Sequence, residues 1–587
     1  FELQGDGKAR LYKKYAITVL NEAGDRHAYL VEYYDKFHSV RSIEGTLYDA
    51  AGKKIKTLKK GDVRDLTGDG GDAMVDDNRY KLHSFYYKTY PYTVEYEVEM
   101  QHNGTLFFPN WTPHEGQKFA VQQSRFTVIC PSDYKLRYKP LNCKVEPVIT
   151  EKSGRKNYVW ELTGLEPIEQ EYASKSWIDL CPKVVIGASD FKMQNYAGNM
   201  DTWQDFGKFV YSLKQGRDQL PEDIKKKVAD LTNGVNDPRQ KVNRLYEFMQ
   251  ANTRYIGIQL GIGGWQPFDA AYVATKRYGD CKALSNYMYS LLKEAGINSY
   301  YTLIRADNED KQIMTDFPSQ QFNHVILCVP VEKDTIWLEC TSQTVPAGYL
   351  GFGTYDRPVL LVDENGGKLV RTRKYSMKDN LQSRNIRATL DAEGNLTASV
   401  RTLYSGLQQD NLHDLVHGLS KEKLMEFLKE NLDLATYDVA KFDYRQQKSA
   451  LPSMDESLDL TIAHYASVSG KRIFIQPNIL TRHRAKLTTD KERKYPIIMN
   501  YEYLDVDTVH IKLPQGYKPE AMPADVEVSS MFGKYTSKVR LNGNELTYYR
   551  SIEKQSGEFP ASAWPELVKF YEQMYKADRS RVVLVKE

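Results

Sequence analysis

Hydrophobic and polar residues alternate with a period of two through residues 1–195, shift to a helical period between about 200 and 255, and alternate again from about 375 onward. Short strands broken by turn signals such as Ala51-Gly-Lys53 and Asn103-Gly-Thr105 predict a β-sandwich over residues 1–195. Helical repeats in Leu220-Pro-Glu-Asp-Ile-Lys-Lys-Lys-Val-Ala-Asp-Leu and Arg239-Gln-Lys-Val-Asn-Arg-Leu-Tyr-Glu-Phe-Met-Gln predict the start of an α+β core over 196–370. Residues 371–587 read as a β-rich region. They contain a hairpin around the Glu-Gly-Asn turn of Ser383–Val400, one helical insert, a helix over Pro565–Met574 and a last strand from Arg581. The chain is multidomain on length alone, since 587 residues exceed a single core.

Within the core, the stretch from Tyr278 to Gly296 carries the clearest chemistry. Leu284, Met288, Leu291 and Leu292 recur at helical spacing, Asp280 suits the N-cap and Gly296 suits the C-terminal stop, so an amphipathic helix opens at Cys281. Free backbone N–H groups and the helix dipole favour a thiolate there, and Lys282 adds positive charge. A buried structural cysteine is the ordinary alternative.

Downstream, Gln321–Pro330 reads as a strand with His324, Ile326 and Cys328 on one face, and Thr335–Ser342 reads as its antiparallel partner. An even loop puts His324 and Glu339 on the same face. A turn near Val331 and Glu332 would bring them opposite, whereas one on Lys333 and Asp334 would leave them several residues out of step. Thiol, imidazole and carboxylate in this order suit acyl transfer: the thiolate attacks a carbonyl, the imidazole shuttles the proton, and the acid fixes the ring.

The Gly-Asp-Cys-Lys helix start, the Asn-His-Val strand and the Trp-Leu-acid-x-Thr strand resemble the core of the transglutaminase-like superfamily, a papain-related fold. The lead-in Arg254–Pro267 resembles a bacterial branch in which that core lies between an N-terminal β-rich domain of unknown function and a C-terminal β-rich one. Tyr15–Gly24 and Asp507–Tyr517 resemble those flanks, so the likeness spans nearly the whole chain. It implies Cys281 as nucleophile, His324 as base and acid, and Glu339 as the orienting acid. Two departures stand out: the family usually has Asp where this chain has Glu339, and often has Asp where it has Ala283. Oxyanion or substrate contacts are sought in the Cys281 N–H and in Gln259, Trp265 or Gln266.

Composition narrows the partners. With 80 basic and 77 acidic residues the net charge is only +3, which gives no field to recruit nucleic acid. The 42 tyrosines suit β-sheet faces. No apolar run reaches the roughly 18 residues of a membrane span. Six cysteines are too sparse for a disulfide framework, although Cys130 and Cys143 could pair across a hairpin or stand as two buried thiols. The acidic stretch Asp62–Asp77 lacks calcium-loop spacing and reads as a solvated loop. His413 and His417 share a helical face, but no third ligand accompanies them, so no metal and no cofactor are expected. The chain starts at Phe1, consistent with removal of a targeting segment, and the family resemblance favours an exported protein of the periplasm or cell surface.

The leading expectation is a monomeric thiol-dependent amide hydrolase or acyl transferase, closer to a peptidase than to a cross-linking enzyme, acting on a peptide or protein amide such as a cell-envelope polymer. The alternative, motivated by Glu339 and Ala283, is a catalytically inactive scaffold that binds a glycan or peptide.

Overall fold

The computed structural model describes residues 1–5, 7–68, 73–308, 312–332, 334–490 and 492–587. Its first region is β-rich. An eight-stranded sheet runs in the order Val148–Lys152, Arg155–Leu165, Val121–Pro131, Glu2–Gln4, Lys8–Val19, Tyr92–His102, His38–Tyr48 and Lys54–Thr57. Strict alternation along Tyr92–His102 buries Tyr92, Val94, Tyr96, Val98 and Met100. They pack with Leu30 and Phe85, next to or on a three-stranded sheet of Leu30–Tyr34, Arg79–His83 and Arg64–Thr67. The acidic stretch Asp62–Asp77 is therefore more ordered than a solvated loop: it contributes the strands Arg64–Thr67 and Ala73–Asp76, and residues 69–72 lie outside the described residues.

The core is built on a five-stranded antiparallel sheet ordered Asp334–Leu338, His324–Val331, Tyr300–Ile304, Pro358–Asp363 and Gly366–Arg371. Side chains at Leu327, Val329, Ile336 and Leu338 pack on the helices Pro238–Asn252 and Cys281–Glu294. Ile326, Cys328 and Trp337 pack instead with Tyr349, Tyr375 and Leu407, so the sheet is a two-sided platform whose second face meets the C-terminal region.

That region has its own eight-stranded sheet, ordered Tyr437–Gln447, Ser453–Ile462, Leu396–Ser405, Leu381–Leu390, Tyr503–Lys512, Glu545–Lys554, Gly533–Asn542 and Val526–Ser530. The Glu-Gly-Asn turn forms as the pattern predicts, with Gly394 at φ +89°. The helical insert is two helices, Asp410–Gly418 and Lys421–Asn431, and the last helix spans Trp564–Ala577. Among the described residues no helix is long and apolar enough to cross a membrane. Cys130 and Cys143 are both unpaired thiols, and only Cys130 is buried.

Candidate active site

Asp280 caps the Cys281 helix as the sequence predicts: its Oδ1 accepts from the Ala283 N–H at 3.0 Å, which makes Cys281 the first helical residue. Gly296, at φ +71°, ends the helix, and the Ile297 N–H donates to the Leu292 carbonyl at 2.9 Å. The helix is not amphipathic in place. Eleven of its residues, Cys281 to Met288 and Ser290 to Leu292, are buried, because the sheet and neighbouring helices surround it. Its polar residues are spent on backbone carbonyls: Ser285 Oγ donates to Val325, Asn286 Nδ2 to Arg217 and Phe268, and Ser290 Oγ to Asn286. Lys282 is buried and pairs with Asp280. Burial works against its charge, but the Cys281 and Asp280 charges outweigh it and raise its pKa. Ala283 is fully buried, and its Cβ lies 2.7 Å from where a side chain on Gly279 would begin, so a carboxylate at 283 would be forced into a packed turn.

The hairpin register decides the second half of the site. Pairing closes at Val331↔Asp334 and runs back to Leu327↔Leu338, between the two turn positions considered from sequence. Lys333 lies outside the described residues. Continuing that register leaves Glu339 diagonal to His324 on the same face, a separation of roughly 7–8 Å that a long side chain can span. It does span it: His324 Nε2 lies 2.9 Å and 3.0 Å from the two Glu339 carboxylate oxygens. Thr341 Oγ donates to Glu339 Oε1 at 2.7 Å, and Tyr246 Oη donates to the Glu339 carbonyl at 2.6 Å.

With Nε2 taken by Glu339, Nδ1 is the ring nitrogen left for Cys281, whose charge is among the causes that raise the imidazole's proton affinity. Burial lowers the imidazole's affinity for a proton, but the Glu339 charge and the bonds to Cys281 and Glu339 override it and hold His324 well above the ordinary range. The Glu339 carboxyl moves the other way. Burial raises it, yet His324 and the two Thr341 donors bring it below the usual carboxylate range.

These three side chains line one cavity of about 770 Å³. Cys281 is only 8% exposed and opens onto this space. Of the other residues singled out from sequence, Gln259 lines the cavity, whereas Trp265 and Gln266 do not. Trp265 packs against Phe107, and Gln266 Nε2 donates to Tyr196 Oη at 2.6 Å. Gln259 is held in place by the N-terminal domain, since Gly257–Gln259 pairs in parallel with Ala73–Asp76. The C-terminal domain adds Gln409, Asp410, Asn411, His413 and Asp414, a wall the sequence gave no reason to place here. His413 is engaged on both nitrogens, with Thr344 Oγ at 2.9 Å and Gln446 Nε2 at 2.9 Å. Among the described residues no cluster of three or more metal-ligating side chains occurs.

The fold and this arrangement define a transglutaminase-like, papain-related core held between two β-rich domains. Residues 225–344 match the model of the transglutaminase-like superfamily. Residues 5–169 and 471–584 match two families described as domains of unknown function with solved structures, DUF3857 and DUF3858. A solved structure from Parabacteroides distasonis, described as a "putative protease", shares the whole architecture: 12% identity, TM-score 0.63, covering 100% of this chain and 97% of that one. Another from Cytophaga hutchinsonii, described as a "putative cysteine protease", gives 10% identity and a TM-score of 0.18, over 57% of this chain and 80% of that one. No curated protein matches the chain.

Proposed function

We propose that the protein is a thiol-dependent amide hydrolase, with Cys281 as nucleophile, His324 as acid and base, and Glu339 as the acid that orients the ring. The observation that carries this reading is the shared cavity, in which a helix-start cysteine meets an imidazole whose far nitrogen is fixed by a partly buried carboxylate. The Cys281 sulfur attacks the amide carbon while His324 Nδ1 holds the thiol proton. The imidazolium passes that proton to the leaving nitrogen, the C–N bond breaks, and a thioester remains on Cys281. Water then gives a proton to Nδ1 and adds to the thioester carbon; the C–S bond breaks, the carboxylic acid leaves, and the proton returns from Nδ1 to the Cys281 sulfur. The Cys281 N–H and Gln259 are the oxyanion donors of this scheme.

The test is selective alkylation. Iodoacetamide at mildly acidic pH should modify Cys281 faster than the other five thiols, and Cys281→Ala should abolish release of amine from peptide and cell-wall amide libraries. A slow, unselective Cys281 would overturn the assignment.

A further inference from the structure

The wall contributed by the C-terminal domain carries two carboxylates, Asp410 and Asp414, beside the Gln409 amide. Asp410 is held in place by Tyr349 Oη at 2.5 Å, the Phe352 N–H at 2.9 Å and Gln409 Nε2 at 2.8 Å. Asp414 follows one helical turn later on the same cavity and is exposed. Gln409 is only 2% exposed, and its Oε1 has no hydrogen-bond partner among the described residues. A buried carbonyl oxygen left without a donor is destabilising, a cost that a donor brought by a ligand would remove. Among the described residues lining the cavity none is Lys or Arg.

We infer that Gln409, Asp410 and Asp414 form a subsite for a cationic group, an ammonium or guanidinium, carried by the amide substrate that Cys281 attacks. This rests on the reading of Cys281 as the nucleophile. Ammonium and guanidinium are donor-only groups, with three and five N–H bonds, and so complement a wall of carboxylate and amide oxygens. Burial pushes the Asp410 carboxyl up to about 6, and burial also raises Asp414 despite the pull of His417. A bound cation would favour the charged form of both. The same carboxylates keep an amine protonated and without a free electron pair. The group is therefore an anchor for the substrate and not the acceptor that attacks the thioester.

Methanethiosulfonate reagents test this on the full chain without a known substrate. Rates of Cys281 modification by the cationic aminoethyl, neutral methyl and anionic sulfonatoethyl reagents are read by peptide mass spectrometry, each divided by its rate with a free model thiol. The cationic reagent should be favoured over the neutral one by about threefold or more and the anionic one disfavoured, with both differences shrinking in salt. Asp414→Asn should bring the cationic preference toward unity, and Asp410→Asn, a near-isosteric change, should do the same. A Cys281 that reacts quickly with the neutral reagent but shows no cationic preference, or a preference that survives both variants, overturns the subsite alone. A Cys281 inert to the neutral reagent removes the nucleophile and the subsite together.

Discussion

At the scale of single residues, the departure at Glu339 has a geometric cause. The hairpin register sets the carboxylate diagonal to His324, and the additional methylene of Glu covers that offset. Glu339→Asp should therefore lower kcat by about tenfold, and Glu339→Gln by about a hundredfold, measured as amide turnover. Because the Glu339 charge is what chiefly offsets burial in raising His324, Glu339→Gln should also move the descending alkaline limb of kcat/KM to lower pH. The pair's contribution to stability has a matching window. The Glu339 part is present above its ordinary value of 4.5 and lost as pH falls through its lowered folded value. The His324 part is complete below 6.5 and lost as pH rises through its raised one. Cys281, His324 and Glu339 were legible in sequence because each sits inside a local pattern, a capped helix or an alternating strand. Thr341 lay in the same motif, but its bond to Glu339 depends on a backbone turn no periodicity encodes.

At the scale of elements, sequence gave the existence and ends of the nucleophile helix but not its surroundings. Its apolar stripe was visible, yet burial of the polar side as well comes from helices and strands distant in sequence, with the Ser285 and Ser290 hydroxyls and the Asn286 Nδ2 donating to carbonyls. The buried Asp280–Lys282 pair makes the helix start sensitive to one change. Asp280→Ala removes the cap and strands a buried ammonium, so it should cost about 3 kcal/mol or more, visible as a lower midpoint in urea unfolding. The helix Trp203–Lys214 touches the strand Gly366–Arg371 so closely that a Cβ on Gly207 would stand 2.0 Å from the Gly367 nitrogen. Gly207→Ala should force that contact apart and lower Tm by several degrees in calorimetry despite the better helix propensity of Ala.

At the scale of the whole molecule, the cavity draws on all three regions: Gln259 steadied from the N-terminal side, Cys281, His324 and Glu339 from the core, and residues 409–414 from the C-terminal side. None of that convergence is written in local pattern, which is why Gln409, Asp410 and Asp414 escaped sequence reading. Leu407, 1% exposed, joins the wall to Trp337 and Tyr349 of the core. Leu407→Ala should cost about 2–4 kcal/mol and separate the calorimetric transitions of core and C-terminal domain. Beside it, Gln408 Nε2 donates to Asp505, whose carboxyl is pushed up to about 7 by burial and by Asp507. The folded protein binds that proton more tightly than the unfolded chain, so stability should fall by about 3 kcal/mol as pH rises from 4 toward 7. Asp505→Asn should flatten that slope.

The division of the cavity among regions also separates two kinds of failure. Cys281, His324 and Glu339 are carried by the sheet and helix of the core, whereas residues 409–414 reach the cavity across the seam where Leu407 rests against Trp337. A molecule that loosens at that seam alone keeps the first group together and loses the second, so damage there changes the outline of the cavity before it scatters those three side chains.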